Sequence, residues 1–170
     1  MIDETRKAFL TTIEMLEDGI AKVPDDQWRS GTEAHRVPVR IAYHIIGGLE
    51  WFVTKLPAKE HIETRRYKLD ETAPVDQLPD REVLLEDLSW VTDRVRNWFA
   101  EWSEESANGG ENAPRMEKAL YFLRHTQHHV GEFSTAARLL GLDYPTWKMR
   151  NVKSLSIILE ADGKKSDKPQ

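Results

Sequence analysis

Three histidines occupy positions from which their rings could reach one point. His125 and His129 are four positions apart in a segment with helical periodicity, and side chains at i and i+4 lie one above the other on a helix. His44 lies on the apolar face of another such segment. Six histidines in a chain of this length give about 0.2 such pairs by chance. The prediction of a three-histidine metal site therefore depends on the apolar placement of the rings.

The cost of burying imidazole favours a shared partner for the three rings. A buried ring nitrogen without a hydrogen bond costs about 1 to 3 kcal/mol, and one metal ion would satisfy all three residues. The alternative is that each ring is hydrogen-bonded separately to a backbone carbonyl, a carboxylate or water.

The predicted ligand set is typical of a catalytic ion. Three neutral histidines leave a fourth position for water or substrate, and nitrogen ligands alone discriminate poorly among Zn²⁺, Ni²⁺, Fe²⁺ and Co²⁺. An ion with no charged ligand lowers the pKa of a bound water toward about 7 and deprotonates a bound thiol. The site is thus predicted to generate a nucleophile.

Glu132 is the candidate catalytic residue beside this site. It lies three residues beyond His129 on the same side of the predicted helix, where it could orient a ligand histidine or accept a proton. A solvated surface carboxylate is the alternative. His128 points about 100° away from His129 on an ideal helix and is not expected to share the ion. Gly47 and Gly48, beside His44, would allow helices to approach closely.

Four segments position these residues. Each has apolar residues at alternating steps of three and four, which is the pattern of a helix with one buried face. Their approximate bounds are residues 3–23, 38–56, 80–106 and 114–140. Pro24 and Pro57 are expected to end the first two, Asp80 to be the N-cap of the third, and Gly141 to cap the fourth. This pattern predicts an all-α protein, an up-down four-helix bundle.

The connections and the C-terminal region complete the predicted domain, residues 1–160. Residues 24–37, which include Trp28, and 57–79, which include His61, Arg65, Arg66 and Tyr67, are long enough to be candidate lids. Trp28 could cover the mouth of the site or shield the core. The C-terminal extension, residues 142–160, could form a short strand or a helical turn, and residues 161–170 are predicted to be a disordered tail.

Composition excludes several classes of function. The chain has 170 residues, a net charge of -5 and no cysteine. The negative charge argues against sequence-independent binding to nucleic acid, and the missing cysteine means that any reactive thiol must come from a ligand. No apolar run is long enough to span a membrane. With no secretory signal pattern at the N-terminus, we expect a cytoplasmic protein.

Motifs for other chemistries are missing from the sequence. A di-iron carboxylate bundle needs Glu-x-x-His pairs, and a zincin needs His-Glu-x-x-His. The chain contains neither of these motifs. It also has no phosphate-binding glycine loop and no Gly-x-Ser-x-Gly element.

The chain resembles the DinB-like superfamily of four-helix metalloproteins over about residues 1 to 147. Members of that superfamily have one histidine on the second helix and a His-x-x-x-His pair on the last long helix. The residues that carry the resemblance are 41–52, 124–133 and 138–142. It implies that His44, His125 and His129 bind a divalent metal. Many members read His-His-Arg-Gly-Gln where this chain has Val130 and Glu132 in place of the arginine and the glutamine.

The resemblance also implies a function. Characterised members include transferases that use low-molecular-weight thiols such as bacillithiol and mycothiol, and similar proteins are commonly homodimers. We therefore expect an enzyme that is a thiol S-transferase or a hydrolase, acting on a small-molecule substrate with Zn, Ni or Fe as the ion. The alternatives are a noncatalytic protein that binds a small ligand or metal, and a bundle whose histidines bind nothing.

Overall fold

A computed structural model describes residues 2–32, 37–54, 56–69, 72–102 and 113–143. No β-strand occurs in these ranges, which confirms the predicted all-α class for this part of the chain. The α-helices are α1 (Ile2–Lys22), α2 (Pro38–Val53), α3 (Ala58–Thr64), α4 (Arg81–Ala100) and α5 (Ala113–Leu139). Val75–Gln77 forms one turn of 3₁₀ helix.

The four long helices share one apolar core. α1 and α2 each pack mainly against α4 and α5. The fully buried side chains at their contacts include Phe9, Leu16, Ile45, Phe52 and Phe133, and each such side chain contributes about 1.5 to 3 kcal/mol of burial energy. The packing of α2 against α5 positions the site, because α2 carries His44 and α5 carries both other candidate ligands.

The ends of α1 and α2 follow from proline and from side-chain bonds. α1 ends two residues before Pro24, and Pro38 occupies the first turn of α2 as predicted. α2 ends at Val53, three residues earlier than the sequence pattern indicates. Thr54 is extended there, and both its backbone N–H and its hydroxyl donate to the carbonyl of Trp51 at 3.1 Å. A side chain that competes for a helix carbonyl in this way favours termination.

The two predicted caps differ in outcome. Gly141 has a φ of 72°, and its N–H and that of Leu142 donate to the carbonyls of Arg138 and Ala137 at 3.0 and 2.9 Å. This is the Schellman motif expected for a cap glycine. Asp80 is the N-cap of α4 by position, but its side chain makes no capping bond. Its carboxylate accepts from Arg29 at 2.9 Å instead.

Both long connections are held against the helices. Trp28 is 1% exposed and its indole N–H donates to the carbonyl of Pro79 at 3.2 Å, so this side chain shields the core. The second connection contains α3, and the hydroxyl of Tyr43 lies 2.9 and 2.8 Å from the carbonyl oxygens of Tyr67 and Leu69. The second connection therefore runs beside α2. It contacts α2 at Tyr43, the residue that precedes His44 in the sequence.

Some predictions fall outside the described residues. These are residues 103–106 of the third predicted helix, the extension from residue 144 to 160, and the tail at 161–170. The predicted continuity of the third helix to residue 106 is wrong, because α4 ends at Ala100 and Glu101 is its C-cap, with the Glu101 N–H donating to the carbonyls of Asn97 and Phe99. Among the described helices, none combines the length and hydropathy needed to cross a bilayer.

Candidate metal centre

The structure brings the three predicted ligand histidines together. The Nε2 atoms of His44 and His129 are 3.1 Å apart, and each of the three residues offers a ring nitrogen within 4.8 Å of the others. Two nitrogens bound to one tetrahedral zinc ion are about 3.3 Å apart. The cluster could therefore hold one divalent ion after small adjustments of the rings.

Helix packing and a glycine position the His125 ring. A Cβ atom on Gly48 of α2 would lie 3.3 Å from Cε1 of His125, which is closer than most carbon contacts. The absence of a side chain at residue 48 thus lets the ring of α5 approach α2. The rings of Phe122 and Tyr121 flank His125 with centroid distances of 5.9 and 6.2 Å.

Glu132 fixes the tautomer of His129. Its Oε2 atom lies 2.6 Å from Nδ1 of His129, and an ionised carboxylate can only accept, so Nδ1 carries the proton. In the neutral ring the lone pair is then on Nε2, the atom that faces His44. Burial lowers the pKa of His129, and the nearby His44 lowers it further, against the opposing effect of Glu132. The ring is consequently neutral near pH 7, as a ligand must be.

His128 lies outside this cluster, as the sequence predicts. Its side chain is 69% exposed and its Nε2 atom is 3.6 Å from Oε1 of Glu132. His128, His129 and Glu132 form a second group that is close enough to hold an ion. However, His128 is exposed, and the carboxylate of Glu132 already accepts from Nδ1 of His129. The three-histidine cluster is the better ligand set.

A cavity of about 550 Å³ adjoins the histidines. His44 and His125 form part of its wall, so a molecule in the cavity would meet the cluster directly. Its aromatic lining residues are Tyr43, Trp51, Tyr121 and Phe122. Concave, largely apolar sites with a few polar groups are the usual places for small ligands.

Besides His44 and His125, the polar part of the cavity wall includes residues that the sequence analysis named only as members of a candidate lid. His61 and Arg65, from the second connection, line the cavity, and Arg65 is held by Glu50 of α2 at 2.8 Å. Periodicity could not predict this contact, because it depends on the path of the connection. One available signal was Glu50 itself, a carboxylate in an otherwise apolar stretch of α2.

Comparisons with protein-family models and with curated proteins give no match to this chain.

Proposed function

We propose that this chain is a divalent-metal-dependent enzyme with an up-down four-helix bundle of the DinB-like type. The observation that carries the proposal is the convergence of His44, His125 and His129 beside a cavity, with two ligand nitrogens 3.1 Å apart. The packing of α1 and α2 against α4 and α5 supports the bundle. The donor set suits Zn, Ni or Fe.

The reaction that fits best is thiol S-transfer, with hydrolysis as the variant in which water replaces the thiol. A bound divalent ion would supply a Lewis acid that lowers the pKa of a thiol or water in its open position. Because the chain contains no cysteine, the reactive sulfur must belong to a low-molecular-weight thiol cosubstrate. The aromatic wall of the cavity would exclude water around an electrophilic substrate.

The residues have separate tasks in this reaction. His44, His125 and His129 bind the ion through ring nitrogens. Glu132 is a positioning residue, since its carboxylate contacts Nδ1 of His129 rather than the cavity. In the transfer step the thiol loses its proton to solvent and its sulfur forms a bond to the electrophilic carbon. The leaving group departs with the electron pair of its broken bond.

Metal binding is tested with tag-free protein, stripped with a chelator and titrated with Co²⁺. We expect one equivalent to bind with the visible spectrum of a tetrahedral nitrogen-rich site. Replacing one ligand should weaken metal binding by about 100-fold or more in each of the variants His44→Ala, His125→Ala and His129→Ala. Loss of only the hydrogen-bond partner of a ligand typically costs about 10- to 100-fold. His128→Ala is the matched control and should bind as the wild type does. Loss of binding in His128→Ala but not in His44→Ala would assign the ion to the other cluster.

Turnover distinguishes an enzyme from a noncatalytic small-ligand protein. The metal-loaded chain is incubated with a panel of thiols and haloarene electrophiles, and thioether product is measured by mass spectrometry. We expect product formation that depends on metal and is lost in His129→Ala. Tight ligand binding with no metal-dependent product from thiols or from hydrolase substrates would contradict catalysis and favour the binding protein.

A further inference from the structure

His61 is a buried polar side chain in the wall of the cavity. Its side chain is 8% exposed, and neither ring nitrogen makes a hydrogen bond to a described residue within the usual distance and angle limits. Burial and Arg65 lower the pKa of His61, and the nearby backbone of Gly47 opposes this effect. The nearest carboxylate oxygen, Oε2 of Glu50, is 3.8 Å from Nε2, which is too long for a hydrogen bond. Buried polar groups are almost always satisfied. Both ring nitrogens of His61 are shielded from solvent, so a bound molecule would complete their hydrogen bonding only after a rotation of the ring.

Arg65 lies beside His61 in the same wall, and its guanidinium is held rigidly. Its side chain is 10% exposed, its Nε atom donates to Oε2 of Glu50 at 2.8 Å, and the guanidinium lies 4.1 Å from the centroid of the Tyr43 ring. A guanidinium has five N–H donors. Glu50 engages Nε, and Nη2 donates a long hydrogen bond of 3.5 Å to the carbonyl of Tyr43. The N–H groups that remain on Nη1 and Nη2 are the ones able to bind a ligand.

Gly47 permits this position of Arg65. A Cβ atom on Gly47 would lie 2.6 Å from Nη1 of Arg65, a distance at which the guanidinium would have to move. Gly48, the next residue, faces His125 in the same way. Since consecutive Cα atoms are 3.8 Å apart, Nη1 of Arg65 and Cε1 of His125 are no more than about 13 Å apart. One small molecule can reach both.

The charge that faces this cavity is positive. Among the described residues that line it, Arg65 is the only arginine, lysine, aspartate or glutamate. Glu50 lines a neighbouring cavity of about 660 Å³ on the other side of Arg65. Arginine binds carboxylates through paired hydrogen bonds, and these charge-assisted bonds are stronger than neutral ones.

We propose that Arg65 and His61 bind a carboxylate of the molecule that occupies this cavity. The substrate or the thiol cosubstrate is then an organic acid whose reactive end lies at the histidine cluster. The placement of the ligand's reactive end at the histidine cluster rests on the proposed function. The carboxylate site itself requires no metal.

The test compares 3-phenylpropionate with 3-phenylpropanamide by calorimetry on the full chain, as purified and after loading with Co²⁺. We expect the acid to bind at least about tenfold more tightly than the amide. Arg65→Gln should bring the two affinities close together, whereas Arg66→Gln, at an exposed arginine that does not line this cavity, should keep the preference. His61→Leu leaves no buried charge unpaired, so it remains informative if Arg65→Gln fails to fold. It should weaken binding of the acid severalfold and leave the amide unchanged.

The outcomes separate this site from the proposed function. Equal binding of acid and amide by the wild type, or a preference that survives both Arg65→Gln and His61→Leu, would overturn the carboxylate site. A preference for the acid in a protein that binds no metal would support the carboxylate site and refute the metal-dependent enzyme. Binding of Co²⁺ and of a neutral thiol without preference for acids would support the metal-dependent enzyme and refute the carboxylate site.

Discussion

The carboxylate of Glu132 contacts His129 on the opposite side of the ring from the nitrogen that faces His44. The distance from Oε2 to Nδ1 is 2.6 Å, and the distance from Nε2 of His129 to Nε2 of His44 is 3.1 Å. A proton held on Nδ1 leaves the other nitrogen free to bind an ion. The order carboxylate, histidine, cation recurs at metal sites, where the carboxylate orients the ligand and raises its basicity.

Replacing Glu132 should therefore weaken metal binding without unfolding the protein. We expect Glu132→Leu to lower Co²⁺ affinity by about 10- to 100-fold, because the His129 ring loses the acceptor that fixes its tautomer. Glu117→Leu is the control, since Glu117 is an exposed carboxylate on the same helix. Competition with a chromophoric chelator gives both affinities. Equal affinities for Glu132→Leu and wild type would show that the carboxylate does not position the ligand.

Two glycine substitutions should separate helix stability from metal binding. Gly131→Ala on α5 meets no atom within 4 Å, so we expect it to stabilise the protein by about 0.5 to 1 kcal/mol and leave metal affinity unchanged. Gly48→Ala should push the His125 ring by a few tenths of an ångström and weaken metal binding severalfold. Denaturant titration and Co²⁺ titration measure the two effects. The prediction fails if both variants bind the ion equally well.

Glu50 should give the folded protein a distinctive pH dependence. Burial raises the pKa of Glu50, and Arg65 only partly opposes this effect. The folded state therefore holds the proton more tightly than the unfolded state, in which the pKa is about 4.3. Stability contributed by this group is present below pH 4.3 and falls as the pH rises through the raised folded value.

The corresponding measurement compares wild type with Glu50→Gln. The free energy of unfolding of each protein is determined by urea titration between pH 4 and pH 7. As the pH rises, the wild type should lose stability relative to Glu50→Gln. Glu86→Gln, at an exposed carboxylate near Arg66, should show no such trend relative to wild type. A flat difference for Glu50→Gln would mean that its carboxyl is equally acidic in both states.

Trp28 should affect stability and not metal binding. Its indole is buried in the core and donates to Pro79, so Trp28→Ala should cost about 3 to 5 kcal/mol. Metal affinity should be unchanged at temperatures where the variant is folded. Thermal unfolding and Co²⁺ titration check the two statements. If the variant were stable but bound metal more weakly, Trp28 would act as a cover of the site.

The sequence predicts most of the helices and the identity of the clustered histidines. Local signals suffice for these features: the three-four apolar steps, the prolines at residues 24 and 38, and the cap glycine at 141 each act within one turn of chain. The side chain of Asp80 shows where local signals fail, because a distant Arg29 competes for it. Nearest-neighbour helix pairs and the contact between Arg65 and Glu50 depend on tertiary packing. Neither could be deduced from periodicity.

The adjacent glycines Gly47 and Gly48 bring the proposed carboxylate-binding group and a proposed metal ligand to neighbouring positions of one helix. Each adjoins the side chain of a different element, Arg65 on one side and His125 on the other. The distance between the Arg65 guanidinium and the His125 ring is thus set by two consecutive residues of a rigid helix. If the proposed carboxylate site is correct, an acid whose carboxylate and reactive group are too close together or too far apart would reach only Arg65 or only the histidines. The length of the ligand should then decide which acids the protein binds productively.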